Sequence, residues 1–141
     1  MTNVLHETIW LTQTARDQLQ SELDGLDRRA APSPEIEARI RELRALLRRA
    51  EVGDKPDDGL VEAGMTITVQ FDGDSAPATF LLGQRANAES DPSVDIDVYP
   101  PSSPLGTAIA GRYPGDRFQY LAPSGAELSG RIVAAVPFRS S

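Results

Sequence analysis

Two apolar seams of similar length, divided by a pair of prolines, constrain this chain more than any other feature. Ala15, Leu19, Leu23 and Leu26 recur at spacings of four, four and three; Ile36, Ile40, Leu43, Leu47 and Ala50 recur at four, three, four and three. Such spacing gathers apolar side chains on one stripe of a helix and leaves the remaining surface polar. Between the stripes, Ala31-Pro32-Ser33-Pro34-Glu35 breaks the helix, because proline lacks the amide and disfavours helical backbone at the residue before it. Thr12 or Thr14 suits the cap of the first helix, and Ser33-Pro34 suits the start of the second. Two seams joined by a turn of a few residues make an antiparallel helical hairpin, a short coiled coil over 10–52. Residues 1–9 show no periodicity and are expected to form a loose tail that includes His6.

After the hairpin the pattern changes. Val52-Gly53-Asp54-Lys55-Pro56-Asp57-Asp58-Gly59 reads as a linker. Met65-Thr66-Ile67-Thr68-Val69-Gln70-Phe71 alternates apolar and polar residues, Asp72-Gly73-Asp74 turns the chain, and Ala78-Thr79-Phe80-Leu81-Leu82 returns it. A polar stretch over 84–93 precedes a further alternating run, 94–98, and Arg117-Phe118-Gln119-Tyr120-Leu121 alternates again. Between these two runs lies a short capped helix. Ser102 or Ser103 is its N-cap and Pro104 fits the first turn. Leu105, Ala108 and Ile109 form its apolar face, Gly111 stops it, and Pro114-Gly115-Asp116 turns into the next strand. Pro123-Ser124-Gly125 then leads to a last strand over 128–138. Five strands and one short helix predict a small α+β sheet domain over 60–141.

The run Ser103-Pro104-Leu105-Gly106, followed by Ala108, Gly111, Gly115-Asp116 and Pro123-Ser124-Gly125, resembles the C-terminal domain of the bacterial Gre (GreA/GreB) transcript-cleavage factors in order and spacing. The resemblance covers roughly 60–138 and extends to the N-terminal third in layout more than in residues. It implies an antiparallel sheet unit similar to that of FK506-binding proteins, and a partner, bacterial RNA polymerase. In the family this domain docks on the rim of the polymerase secondary channel. A long coiled coil then carries two carboxylates to the active site, where they hold a metal ion that assists cleavage of the transcript. The docking motif of the family maps onto Ser102, Ser103, Pro104 and Leu105, with Ser102 standing where an Asp or Asn is usual. On the residues alone, Ser103 and Pro104 are simply a helix start; the resemblance adds docking.

The tip departs from the family. Where the Asp-Leu-Ser-Glu-Asn-Ala-like motif belongs, this chain has Arg28-Arg29-Ala30-Ala31-Pro32-Ser33-Pro34. Asp24 and Asp27 stand three apart and face the same side of the first helix, but Leu26 continues the seam between them and two arginines follow. They read as solvated helix charges. With arms of at most about 19 residues, the hairpin extends roughly 28 Å, less than the long hairpin of the family.

Composition closes off several classes of function. The absence of cysteine excludes disulfides and thiolate metal sites, and a lone histidine argues against an imidazole metal site or a Ser-His pair. No metal site and no cofactor is expected, and neither a phosphate-binding glycine loop nor a nucleophile with a base is evident. A formal net charge of −7 argues against direct nucleic-acid binding. The acidity is local: 10–51 balances eight arginines against eight acidic residues, whereas 52–141 holds six basic and twelve acidic ones. Glu35 with Arg39 and Glu37 with Arg41 have the spacing of helical ion pairs, and the dense arginines of the second helix form either a solvated face or a surface for an acidic partner. No stretch resembles a signal or a membrane span, so a cytoplasmic protein is expected. Together with these exclusions, the resemblance to Gre factors implies a polymerase-binding regulator without cleavage activity and not an enzyme. The alternatives are a short-hairpin polymerase binder similar to the regulator of nucleoside diphosphate kinase and, in a different class, a peptidyl-prolyl isomerase by analogy of fold.

Overall fold

A computed structural model of the 141-residue chain describes residues 8–29 and 31–139. Strand β1 (Ile9–Trp10) leads into helix α1 (Gln13–Asp27), which is followed by α2 (Pro34–Arg49) and strand β2 (Ala50–Glu51). Thr12 caps α1 by accepting a hydrogen bond from the Ala15 amide, and Ser33 caps α2 with Pro34 in the first turn. The seams meet as expected: Ala15, Leu19, Leu23, Ile40 and Leu43 are buried against one another. At the base, β1 and β2 pair in parallel, Ile9 with Ala50 and Trp10 with Glu51. The tail expected over 1–9 is therefore structured at its end, where Ile9 is buried; His6 lies outside the described residues. The sequence hides this strand, because two residues have no period to read.

The second part contains β3 (Met65–Phe71), β4 (Ala78–Leu82), α3 (Ala86–Ser90), β5 (Asp97–Tyr99), α4 (Pro104–Ile109), β6 (Arg117–Leu121) and β7 (Glu127–Pro137). The five longer strands form one sheet in the order β5-β4-β3-β7-β6, so the α+β class holds. Two details differ from the expected antiparallel sheet with one helix. Strand β5 pairs with β4 in parallel, shifted from the expected 94–98, and the polar stretch contains a second short helix, α3. The two departures share one cause: parallel neighbours need a crossover connection, and α3 lies in it. Met65, Ile67, Val69, Phe80, Phe118 and Ile132 pack with Leu105 and Ile109 of α4 on one face of the sheet. Strand β7 runs between β3 and β6, and a register shift opposite Thr68 and Val69 leaves Val133 without a partner residue in β3 and exposed.

The two parts are joined by more than the connecting segment. Trp10 packs with Leu81, Val94 and Phe138 on the other face of the sheet, its ring edge-on to Phe138 at 6.2 Å. Its indole Nε1 donates to the Gly53 carbonyl at 2.9 Å. Lys55 pairs with Glu51 at 2.6 Å, and Arg139 with Asp54 at 2.8 Å. The segment that reads as a bare linker is thus tied down along its first half, and 56–58 is exposed.

Candidate functional site

The segment before α4 is held mainly by hydrogen bonds to backbone atoms. Ser103 is extended (φ −66°, ψ 160°), and its hydroxyl acts twice, accepting from the Gly106 amide at 3.0 Å and donating to the Pro100 carbonyl at 2.7 Å. The Ser103 amide also donates to Pro100 O at 3.0 Å, and its carbonyl accepts from the Thr107 amide at 2.8 Å. These bonds fold 100–103 into a tight turn that runs into the helix. Gly106 is required by close approach: a Cβ there would lie 2.4 Å from Pro100 O and 2.9 Å from Pro101 O, distances that backbone atoms cannot accommodate without moving. At the other end Gly111 adopts φ +79°, which favours glycine, and its amide reaches back to Val61 O at 2.9 Å.

Of the four residues singled out by sequence, Ser102 and Pro104 are exposed, Ser103 is half-buried as the cap, and Leu105 is buried. Leu105 packs in the sheet core with Val61, Met65 and Ile109. Its side chain anchors the helix and offers no contact surface. Ser102 also lines a cleft of about 400 Å³ whose other walls include Pro101, Trp10, Ile9 and Arg49, which brings the loop next to the base of the hairpin. Nothing in the sequence signals this juxtaposition, although the chain's one tryptophan is a residue type with much area to bury.

At the far end of the hairpin, Asp24 and Asp27 are occupied differently. Asp27 takes an Nη atom of Arg44 between its two oxygens at 2.9 and 3.0 Å, and Asp24 accepts from Gln20 Nε2 at 3.0 Å. Among the described residues no group of three or more His, Asp or Glu side chains gathers in a way that could hold a metal ion. Arg39, expected to pair with Glu35, instead grips Glu22 of α1 through Nε and Nη2 at 2.6 and 2.8 Å and also reaches Glu42 at 3.0 Å. A bidentate guanidinium–carboxylate pair across the helices offers better geometry than a single contact along one of them. It holds the Glu22 carboxyl below its ordinary value, chiefly through the hydrogen bond from Arg39. The arginine set thus serves in part to clasp the arms together. In the sheet domain Phe71 packs edge-on against Phe118 and Phe80 edge-on against Tyr99.

No family profile matches the chain. Whole-length relatives do. The transcription elongation factor GreA of Streptomyces coelicolor is 36% identical over 167 aligned positions, which cover 98% of this chain and 99% of the relative. GreA of Mycobacterium tuberculosis is 33% identical over 162 positions, covering 95% and 98%. These aligned positions outnumber the 141 residues present here, so each relative carries residues that this chain lacks. Among solved structures, the GreA/GreB factor of Nitrosomonas europaea covers 92% of this chain and 99% of its own at 24% identity, with a TM-score of 0.42. Among the described residues no helix is long and apolar enough to cross a membrane. With GreA proteins related to it at these identities along almost its whole length, the chain belongs to the GreA/GreB family of transcription elongation factors.

Proposed function

We propose that the protein binds bacterial RNA polymerase at the rim of the secondary channel through the loop that opens α4, and that it regulates elongation by occupying that site without stimulating transcript cleavage. The observation that carries docking is the loop itself. Ser102 and Pro104 project to solvent from a turn whose backbone is fixed by the Ser103 hydroxyl and by Gly106. A surface already held in one conformation loses little entropy on binding. The protein acts on the polymerase and is not itself an enzyme in this reading.

The non-cleaving half rests on the hairpin. Arms of 15 and 16 residues reach only about 22–24 Å at 1.5 Å per residue. The tip presents Arg28, Arg29 and Pro32 in place of paired carboxylates, and Asp27 is engaged by Arg44. The test adds the purified protein and magnesium to backtracked elongation complexes and follows RNA length. Unchanged transcripts are expected, together with inhibition of a cleavage-competent Gre factor that excess competitor relieves. Shortened transcripts that vanish on Asp24→Asn with Asp27→Asn would refute the non-cleaving assignment.

A further inference from the structure

Asn87 lies in α3, and Asp91 is the extended residue that follows the helix, its amide donating to the Asn87 carbonyl. Both meet Thr12, at the point where the hairpin begins. The Thr12 amide donates to Asn87 Oδ1 at 2.8 Å, and the Thr12 hydroxyl donates to Asp91 Oδ2 at 2.6 Å while accepting from the Ala15 amide at 3.0 Å. Asn87 Nδ2 in turn donates to the carbonyls of Trp10, at 3.3 Å, and Gln84, at 3.0 Å. Asp91 Oδ1 accepts from the amide and hydroxyl of Ser93 at 2.9 and 2.7 Å. Thr12, Asn87 and Asp91 are 2, 0 and 2% exposed, and they are the buried polar side chains among the described residues.

Apolar contact alone would hold α1 on the sheet domain, but it leaves the angle soft, because hydrophobic attraction is not directional. Buried hydrogen bonds are directional. Each group withdrawn from water must find its partner or lose the desolvation energy, so a fully satisfied network tolerates one arrangement. The second arm is tied to the same point, as the Leu11 amide donates to Glu51 O at 3.0 Å. Trp10, two residues before Thr12, lines the cleft shared with Ser102. A continuous set of hydrogen bonds therefore runs from Asn87 and Asp91 through Thr12 into α1, beside the cleft that Ser102 also lines.

We propose that Thr12, Asn87 and Asp91 are positioning residues that fix the direction in which the hairpin leaves the sheet domain, and thereby the place on the polymerase where the tip sits. The second clause rests on the docking proposed above; the first does not.

The chain has no cysteine, so two introduced thiols, Arg28→Cys at the tip and Ser124→Cys in the exposed turn before β7, can be spin-labelled uniquely. Pulsed electron resonance then measures their separation in the full chain. The parent is expected to give a single narrow distance peak. Thr12→Val and Asn87→Leu should each lose that peak to a broad or shifted distribution while retaining the circular dichroism of a folded protein, and Thr12→Ser, which keeps the hydroxyl, should restore it. A broad peak in the parent, or a narrow unshifted one in both folded variants, would overturn the proposal. In complex with core polymerase, a photocrosslinker attached through the Arg28→Cys substitution alone should mark one site with the parent and scattered sites with Thr12→Val, at equal binding affinity. Identical crosslinks from a variant with a broad distance peak would refute the positioning role on the polymerase. Failure of the parent itself to bind polymerase would sink the docking reading and leave the distance result standing.

Discussion

Around the start of α4, backbone atoms determine the geometry: Pro100 and Pro101 carbonyls sit where a Cβ on Gly106 would go, and a single hydroxyl closes the turn. Along the hairpin arms, a stripe of Leu and Ile side chains supplies the attraction, and exposed ion pairs, Arg39 with Glu22 and Arg44 with Asp27, hold the two surfaces in register. Side-chain seams accept many substitutions provided volume and polarity are kept. Backbone-on-backbone contacts accept almost none. The contrast predicts that the seam residues of the arms can be exchanged for others of like volume while Gly106 cannot be replaced.

The largest effect that could break the comparison comes from the hairpin core. Leu43 is fully buried, so Leu43→Ala should cost about 3 kcal/mol, the usual loss when a buried leucine is truncated. If 10–52 and 60–141 are separable folding units, as we propose, calorimetry should show the hairpin melting in a transition of its own ahead of the sheet. One shared transition shifted downward would mean that the joint at Trp10 and Thr12 couples the two completely.

Gly106→Ala probes the other region, with an expected loss of about 2 kcal/mol from forced backbone movement and weaker polymerase binding. Unchanged stability would show that the 100–101 carbonyls move aside easily and that the loop is no more rigid than the seam. Ser103→Ala removes the cap, at about 1 kcal/mol. Combined with Pro104→Ala it should lower polymerase affinity more than this stability loss suggests, because two positions of the proposed surface change at once.

The smallest effect sharpens the account of the arms. Arg39→Ala should cost only about 0.5 kcal/mol, since the pair with Glu22 is open to solvent and screened by salt. Because folding lowers the Glu22 pKa from its ordinary 4.5, the contribution is fully present above that pH and fades as pH falls through the folded-state value. The difference between parent and Arg39→Ala in thermal unfolding should accordingly shrink in acid and in high salt. A difference that persists in acid would assign the arginine a packing role instead.

How legible each region is in the sequence follows from the same physics. Periodic features are plain: the seams, the β3–β4 hairpin, and the Ser103-Pro104 start with Gly111 as the stop. The joint is hidden, because Thr12 lies far along the chain from Asn87 and Asp91, and polar residues in a loop-like stretch usually face water. The parallel placement of β5 is equally hidden, since pairing partners leave no local mark and three residues carry too little alternation. Leu105 reads as part of a contact surface because it belongs to the motif, although its place on the apolar face of α4 already points inward. Arg39 illustrates a further limit: helical spacing offers Glu35, yet a partner on the facing arm wins through bidentate geometry.

The parallel bridge between β1 and β2 brings the two feet of the hairpin side by side, so everything between Gln13 and Arg49 behaves as a loop grafted onto a closed base. Matched turns can be added to or removed from both arms without altering the feet, because each added residue pairs only with its opposite number. If the loop before α4 docks as proposed above, a small domain built this way carries an adjustable ruler: the grip on its target and the depth of its probe would be set by separate stretches of chain, free to change independently.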